Sequence, residues 1–438
     1  MSKYKRYERY KDSGIEWIGE IPEHWEITKL KYICSESAVY GLNESAENYV
    51  EEGVRFIRTT DIDNKGNLDN SMGGVFLPEE KVKGYILKTG DLLVSRSGSL
   101  GTSLYFDEDK YGKCSYAGYL VKFRANSKNC PKFLFYFSKS NIFYIQIQLA
   151  LVSSTISNFN GNKYANMILP LPSYYEQKAI SNFLDQKTAE IDSLIADKEK
   201  LIELLQEKRQ AIITEAVTKG LNPNVRMKDS GIEWIGEIPE HWNLRRIRYL
   251  ANIRNVKASD SDIDKTYVGL ENIESKTGKL LTNGDDEQQF VGETANIFKK
   301  GDVLFGKLRP YLAKCIIADF DGRCTSELLV LKTTSYILPK YLHFFMLSPK
   351  FIDVVNSSTY GAKMPRASWD FIGNLEIPLP SIKEQEDIVE YLTEFISRID
   401  DLISDINTQI QKLKEYRQSL ISEAVTGKID VRDYVVSN

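Results

Sequence analysis

Lys11–Trp25 reads KDSGIEWIGEIPEHW, and Lys228–Trp242 repeats those fifteen residues without a change. Self-similarity over this distance decides the architecture before any local propensity does. The correspondence extends outward from the two phrases. Leu169–Gln177 (LPLPSYYEQ) matches Ile377–Gln385 (IPLPSIKEQ), and Ala211–Gly220 (AIITEAVTKG) matches Ser419–Lys428 (SLISEAVTGK). KTGDLLVSRSGSLG from Lys88 aligns more weakly with KKGDVLFGKLRPYL from Lys299, and PKFLFYF from Pro131 aligns with PKYLHFF from Pro339. The chain is one module written twice: a fixed opening phrase, a variable globular part, a fixed proline-rich exit and a long charged segment. A duplication that had merely drifted would have eroded the opening phrase too. Its survival beside divergent inserts points to two copies doing the same kind of job on different targets.

These landmarks divide the chain into an opening segment (1–25), a first variable domain (26–170), a central region with a long helix (171–227), the repeated opening segment (228–242), a second variable domain (243–377) and a C-terminal region with a second long helix (378–438). No glycine or proline occurs from Ser173 to Lys219, and Ser173 with Glu176 forms an S-x-x-E capping box, as does Ser381 with Glu384. In the second helix an apolar stripe runs through Ile388, Leu392, Phe395, Ile399, Leu402, Ile406, Ile410, Leu413, Tyr416 and Leu420, mostly in alternating steps of three and four. That is a coiled-coil seam. The first helix offers Leu184, Ile191, Leu194, Leu201, Leu205 and Ile212, with Lys187, Lys198 and Lys208 falling in the stripe. Each rod would be roughly 65–70 Å long, and one apolar seam needs a partner helix. The other copy supplies it, with an antiparallel pair as the natural arrangement.

The variable domains read as mixed α/β. Short β-rich runs at Val54–Ile57, Asp91–Val94, Tyr119–Phe123, Tyr267–Leu270, Asp302–Phe305 and Leu328–Leu331 lie between Gly, Asn and Asp turns. Pro131–Leu149 and Pro339–Val355 read as apolar helices with a proline start. The fold expected is two copies of an α/β (mixed α+β) domain, separated by two long α-helices packed as an antiparallel coiled coil, with an internal pseudo-two-fold repeat.

Composition narrows the class of function. The 438 residues are 42% hydrophobic and 27% charged, which suits a globular protein of several domains. No run reaches the roughly 18–20 apolar residues of a membrane span, and the charged, aromatic start lacks the apolar core of a signal peptide. The five scattered cysteines form no C-x-x-C pair, which argues against a zinc site or a disulfide framework and suggests a reducing, cytoplasmic setting. Net charge is −4, so a uniformly basic coat is excluded. The variable domains are mildly basic and the helical regions acidic, a sign that suits domains facing a polyanion and rods facing protein.

Catalytic motifs are missing. GDVLFGKL at Gly301–Leu308 resembles a phosphate loop, but Leu308 replaces the Mg²⁺-binding hydroxyl and VLF reads as strand. Asp91 and Asp302 read as turn aspartates before strands, His24 and His241 as packing or capping residues, and His343 as structural. No metal ligand set and no amino-methyltransferase motif was found. The polar loops carry more information: Arg58, Thr59, Arg96, Ser97, Ser99, Ser154, Thr155, Asn160 and Lys163 in the first copy, and Asn272, Lys307, Arg309, Tyr311, Thr359, Lys363 and Arg366 in the second. Such side chains contact phosphates and read base edges. The matching loops are polar in both copies yet differ between them.

The opening phrases, the PLPS-x-x-EQ exits at Pro170 and Pro378, and the EAVTKG and EAVTGK helix ends together resemble the specificity subunit of Type I restriction–modification enzymes over nearly the whole chain. The resemblance implies that the variable domains are target recognition domains, each reading half of a bipartite, asymmetric site on double-stranded DNA. It implies that the rods hold them apart and dock two methyltransferase subunits, to which restriction–translocase subunits attach. Methylation would fall on adenine N6. S-adenosylmethionine, ATP and Mg²⁺ would belong to those partners, leaving this chain without cofactor, metal or membrane. The rival reading is a coiled-coil scaffold whose two globular modules bind proteins.

Overall fold

The structure, a computed structural model, describes residues 4–69, 73–152, 159–281, 295–359 and 363–434. It divides into two compact units, Met1–Lys198 with Thr408–Asn438, and Glu199–Asn407. In the first unit a four-stranded antiparallel sheet has the order Cys34–Tyr40, Leu120–Ala125, Asp91–Ser95, Ser103–Tyr105. Every residue of Asp91–Ser95 is buried, which is why that run reads as continuously apolar rather than alternating. The second unit repeats the order with Ala251–Ile253, Leu328–Thr333, Val303–Gly306 and Cys315–Ile317.

A smaller sheet accompanies each. Val54–Ile57 pairs in parallel with Cys114–Tyr116, as Tyr267–Val268 does with Gly322–Cys324. The third strand differs between copies. Phe76–Leu77 adds to Val54–Ile57 in the first unit, whereas Asn296–Phe298 adds to Gly322–Cys324 in the second. The third strand thus joins opposite edges of a shared parallel pair.

The two proline-started helices are each broken in two: Pro131–Ser138 then Asn141–Val152, and Pro339–Leu347 then Pro349–Ser357. In the second unit Pro349 removes a backbone donor and drives Ser348 to an extended ψ of 136°. In the first, Ser140 Oγ donates to Phe137 O at 2.6 Å, and Asn141 N–H donates to Ser422 Oγ at 2.9 Å, a bond that starts a new helix in place of the old ladder.

The long helices are Tyr174–Lys219 and Ile382–Val425. Within the first unit Asp192 pairs with Arg417 at 3.3 Å and Lys198 with Gln409 at 2.6 Å. Within the second, Arg209 pairs with Asp400 at 3.6 Å, while Ile213, Ala216 and Val217 share a core with Ile388, Leu392 and Ile396. Numbers rise on one helix as they fall on the other, so the pairing is antiparallel. The seam buries Leu184, Ile191, Leu392, Ile399, Ile406 and Leu420, with Leu205, Ile212 and Leu413 half-buried. Leu194 and Leu201, expected in the seam, are 50% and 45% exposed, and Leu402 is exposed as well. The buried line of the first helix passes instead through Thr188, Ile191, Ile195, Arg209 and Ile213. Polar members shift it by one position from the line of leucines.

The units are assembled differently along the chain. In the second, the end of the first long helix leads into the opening phrase, with Gly220 (φ +74°) placing its missing Cβ 3.1 Å from Trp242. In the first unit that helix end comes from the far side of the sequence. Gly427 (φ +70°) lies against Pro22 and Trp25, Tyr10 Oη donates to Gly427 O at 3.0 Å, and Asp430 N–H donates to Lys5 O at 2.7 Å. Ile429 and Val431 are buried.

Candidate nucleic-acid interface

The opening and exit phrases form one device, present in both units. Ser173 caps the first long helix: Glu176 Oε2 accepts from Ser173 Oγ at 2.8 Å, and Glu176 N–H donates to Ser173 Oγ at 3.4 Å. The other carboxylate oxygen of Glu176 meets His24 Nε2 at 2.8 Å and accepts from the Trp25 indole N–H at 3.3 Å. Glu384 repeats this with Ser381 Oγ at 2.8 Å, His241 at 2.6 Å and Trp242 at 3.1 Å. Burial alone would raise the Glu384 carboxyl, but the bonds from His241, Trp242 and Ser381 outweigh it and hold the group at about 2. The balance lowers Glu176 too. The next residue ties the cap to the globular part. Gln177 Oε1 accepts from Cys130 N–H at 2.8 Å and Gln385 Oε1 from Leu338 N–H at 2.8 Å, just before each proline-started helix. Gln177 and Gln385 stood in the repeated exits, so their recurrence was the signal available.

Asp302 directly precedes its strand, as the sequence suggested, whereas Asp91 is already the first residue of the strand Asp91–Ser95; each is buried with an arginine. Asp91 accepts from Arg124 at 2.6 and 2.7 Å and from Lys88 N–H at 2.9 Å. Asp302 accepts from Arg254 at 2.6 and 3.0 Å and from Lys299 N–H at 2.8 Å. The register opposes Arg124 to Asp91 on the adjacent strand, whereas Arg254 follows the edge strand Ala251–Ile253, one strand further out than the neighbour of Val303–Gly306. The pair is kept while its arginine has changed strand. His343 Nε2 lies 3.0 Å from Cys315 O, and burial lowers its pKa to about 4, so it is neutral at ordinary pH. Among the described residues no three His, Cys, Asp or Glu side chains are grouped to hold a metal, and no helix is long and apolar enough to cross a membrane.

On this frame the loop residues fall into two groups. The first is engaged by the protein itself. Arg58 makes a bidentate pair with Asp61 at 2.7 and 3.1 Å, and Thr59, whose buried Oγ1 has no partner among the described residues, begins the same turn. In the second unit Asn272 holds the matching turn, Oδ1 accepting from Gly269 N–H at 2.8 Å. Arg366 forks onto Glu327 at 3.1–3.3 Å. Asn160 caps Gly161–Ala165, and Thr359 Oγ1 donates to Asn356 O at 2.8 Å. Asp61 and Glu327 escaped the sequence reading because nothing marked them as partners.

The second group extends from the inner strand of each large sheet. Arg96, Ser97 and Ser99 follow Asp91–Ser95; Lys307, Arg309 and Tyr311 follow Val303–Gly306. Arg96 O accepts from Phe159 N–H at 3.2 Å, and Lys163 stacks over the Phe159 ring at 5.5 Å, bringing Arg96, Asn160 and Lys163 into one neighbourhood. In the second unit Arg309 N–H donates to Pro365 O at 2.8 Å and Ala367 N–H to Lys307 O at 2.9 Å, joining that loop to the segment of Arg366. Arg309, Tyr311 and Lys363 are exposed. Ser154 and Thr155 lie outside the described residues.

Comparison with known proteins bears on this duplicated arrangement. The family described as Type I restriction modification DNA specificity domain matches residues 22–204 and again 239–412. The chain belongs to that family. As a DNA specificity chain of the type I restriction–modification class it is a recognition component and not a catalytic one, and the protein-scaffold alternative is not favoured. It is 26% identical over 439 residues to the putative MjaX specificity subunit of Methanocaldococcus jannaschii, covering 95% of this chain and 96% of that one. It is 23% identical over 444 residues to the EcoKI specificity subunit of Escherichia coli strain K12, covering 94% and 90%. The match to the EcoDI specificity subunit of Escherichia coli, 25% identical, covers 63% of this chain and 65% of that relative. In fold it is similar to a chain from a study of complex assembly and conformational transition of the type I R-M system, with a TM-score of 0.70 at 15% identity, covering 92% and 98%. The HsdS subunit of Thermoanaerobacter tengcongensis gives 0.53, also at 15% identity, covering 93% and 98%.

Proposed function

We propose that the chain is the DNA-recognition subunit of a cytoplasmic type I restriction–modification enzyme. Domains 26–170 and 243–377 each read one half of a bipartite, asymmetric site on double-stranded DNA, and the complex methylates adenine N6 or cleaves. The observation that carries the reading is the same strand-end loop on the same sheet in both units, polar in each and different in each. A shared frame with exchanged side chains is what two readers of two short sequences require. Ser154, Thr155, Thr359 and Lys363 belong to the candidate contact set with the loops already described. The long helices carry exposed leucines, Leu194, Leu201, Leu204 and Leu402, that packing among the described residues leaves uncovered. These would dock two methyltransferase subunits, which bring S-adenosylmethionine; the restriction–translocase subunits attached through them bring ATP and Mg²⁺.

The test is sequence-specific retention of DNA in a mobility-shift assay with the methyltransferase subunits present, and steep salt dependence of that binding. Retention without sequence preference would overturn the reading. The helices would also set the unread spacer. Four residues inserted near Glu203 lengthen the rod by roughly 6 Å, which should widen the spacer by one or two base pairs, at about 3.4 Å each, and leave both half-sites unchanged. Sequencing of methylated adenines reads this directly, and an altered half-site with an unchanged spacer would contradict it.

A further inference from the structure

Of the four arginines on the candidate loops, two are already committed. Arg58 is forked onto Asp61 and Arg366 onto Glu327; using either on DNA would strand a carboxylate. Arg96 and Arg309 have no carboxylate partner among the described residues. We propose that these two are the guanine readers of the two recognition domains, each forking onto O6 and N7 of one guanine in its own half-site. The proposal rests on the reading of the chain as a DNA-recognition subunit and deepens it.

Arg96 is held ready from several sides. The Tyr164 hydroxyl clamps its loop, donating to Ser95 O at 2.6 Å and accepting from Gly101 N–H at 3.1 Å. Arg96 N–H donates to Tyr119 O at 3.0 Å, and Phe159 N–H donates back to Arg96 O. The guanidinium lies 5.0 Å over the ring of Tyr40, which is itself fixed by accepting from Gly161 N–H at 2.8 Å. Stacking on an aromatic ring orients the planar fork before any ligand arrives, which lowers the cost of ordering it on binding. Nε is buried without an acceptor among the described residues.

Arg309 is presented differently at the matching place. Aligning GDLLVSRSG from Gly90 with GDVLFGKLR from Gly301 sets Arg309 opposite Gly98. Both positions are left-handed, φ +69° at Gly98 and +52° at Arg309. Glycine adopts that conformation freely and arginine does not. The second domain therefore carries strain at this position, and such strain persists at functional sites because neighbouring structure over-determines it. Here bonds to Pro365 O and from Leu312 N–H pin the backbone. A guanidinium fork matches the two acceptors of guanine in the major groove and no other base as well. The first domain places its fork two residues earlier in the loop than the second, which suits different half-sites.

The test uses the complex assembled with its methyltransferase subunits, and duplexes carrying the recognised site or that site with one base pair changed. Arg96→Gln is expected to weaken the cognate duplex about 5- to 150-fold. Changing one particular G·C pair in one half-site should weaken the wild type by the same factor and the variant no further. Arg309→Gln should do this for the other half-site. Arg309→Gly, which suits the left-handed backbone, should fold at least as well and lose the same discrimination. Equal weakening on every duplex, no weakening, or a half-site without guanine would overturn the proposal while leaving DNA recognition standing. A wild-type complex without sequence preference would instead sink the underlying reading.

Discussion

Replacing Glu176 with alanine should loosen the first unit and spare the second. The substitution removes the reciprocal partner of the Ser173 cap, a loss of about 1 kcal/mol. It also strands the indole N–H of Trp25, which is fully buried. A buried donor without an acceptor costs about 1–3 kcal/mol, for a total of about 2–4 kcal/mol. In Glu384→Ala water can reach the vacated place more easily, since the Glu384 side chain is 34% exposed against 9% for Glu176. That variant should fall at the lower end. Hydrogen–deuterium exchange of the full chain separates the two, because amide opening in Lys11–Trp25 should accelerate about 30- to 900-fold in Glu176→Ala while Lys228–Trp242 keeps its protection. Acid offers a second check. The Glu384 carboxyl is depressed from 4.5 to about 2, so its contribution is present above pH 4.5 and is lost as pH falls toward 2. Stability of the second unit should fall in that window, and less steeply in Glu384→Ala. Unchanged exchange in the first opening phrase, or equal loosening of both, would refute the idea that one carboxylate locks each phrase to its helix.

Asp302→Asn should leave the Arg254 charge without its buried partner and cost about 3–5 kcal/mol, seen as a lower urea midpoint for the second unit; an unshifted midpoint would contradict the pairing. Gly427→Ala adds a Cβ 2.4 Å from Pro22 on a left-handed backbone, whereas Gly14→Ala meets nothing within 4 Å at φ +73°. The first should cost about 2 kcal/mol and the second about 1, a ranking that thermal unfolding can check. The fragment Glu199–Asn407 holds both halves of its helix pair and its own opening phrase. It should fold alone with cooperative unfolding, and loss of the near-UV signal with a broad, non-cooperative melt would contradict that.

The repeat, both capping boxes and the six strands named from the sequence, out of many more among the described residues, were legible because they depend on local patterns. Val54–Ile57 is a strand with those bounds, and Ser173 and Ser381 cap as S-x-x-E implies. Tertiary competition hid the rest. Leu194 and Leu201 follow an apolar line that lies beside the buried one, and Thr188 and Arg209 occupy the seam because each finds acceptors there, Leu184 O and Thr277 O. Only Pro349 advertised a helix break; in the first unit the new helix starts where Asn141 N–H donates to Ser422 Oγ, far along the chain. At the candidate interface, residue type marked Arg58, Asn272 and Arg366 equally with Arg96 and Arg309. Separating committed from available side chains required knowing where Asp61, Gly269 and Glu327 lie.

The strap running through Gly427 to Val431 has a consequence for biosynthesis. On a translating ribosome the first unit emerges early but lacks the segment that covers Trp25 and Pro22 until the whole second unit has been made. The half of the molecule begun first is thus the last to be finished. Meanwhile its unclosed apolar surface is open to chaperones and to aggregation, and an arrest late in elongation would leave a nascent chain with its later half folded and its earlier half waiting.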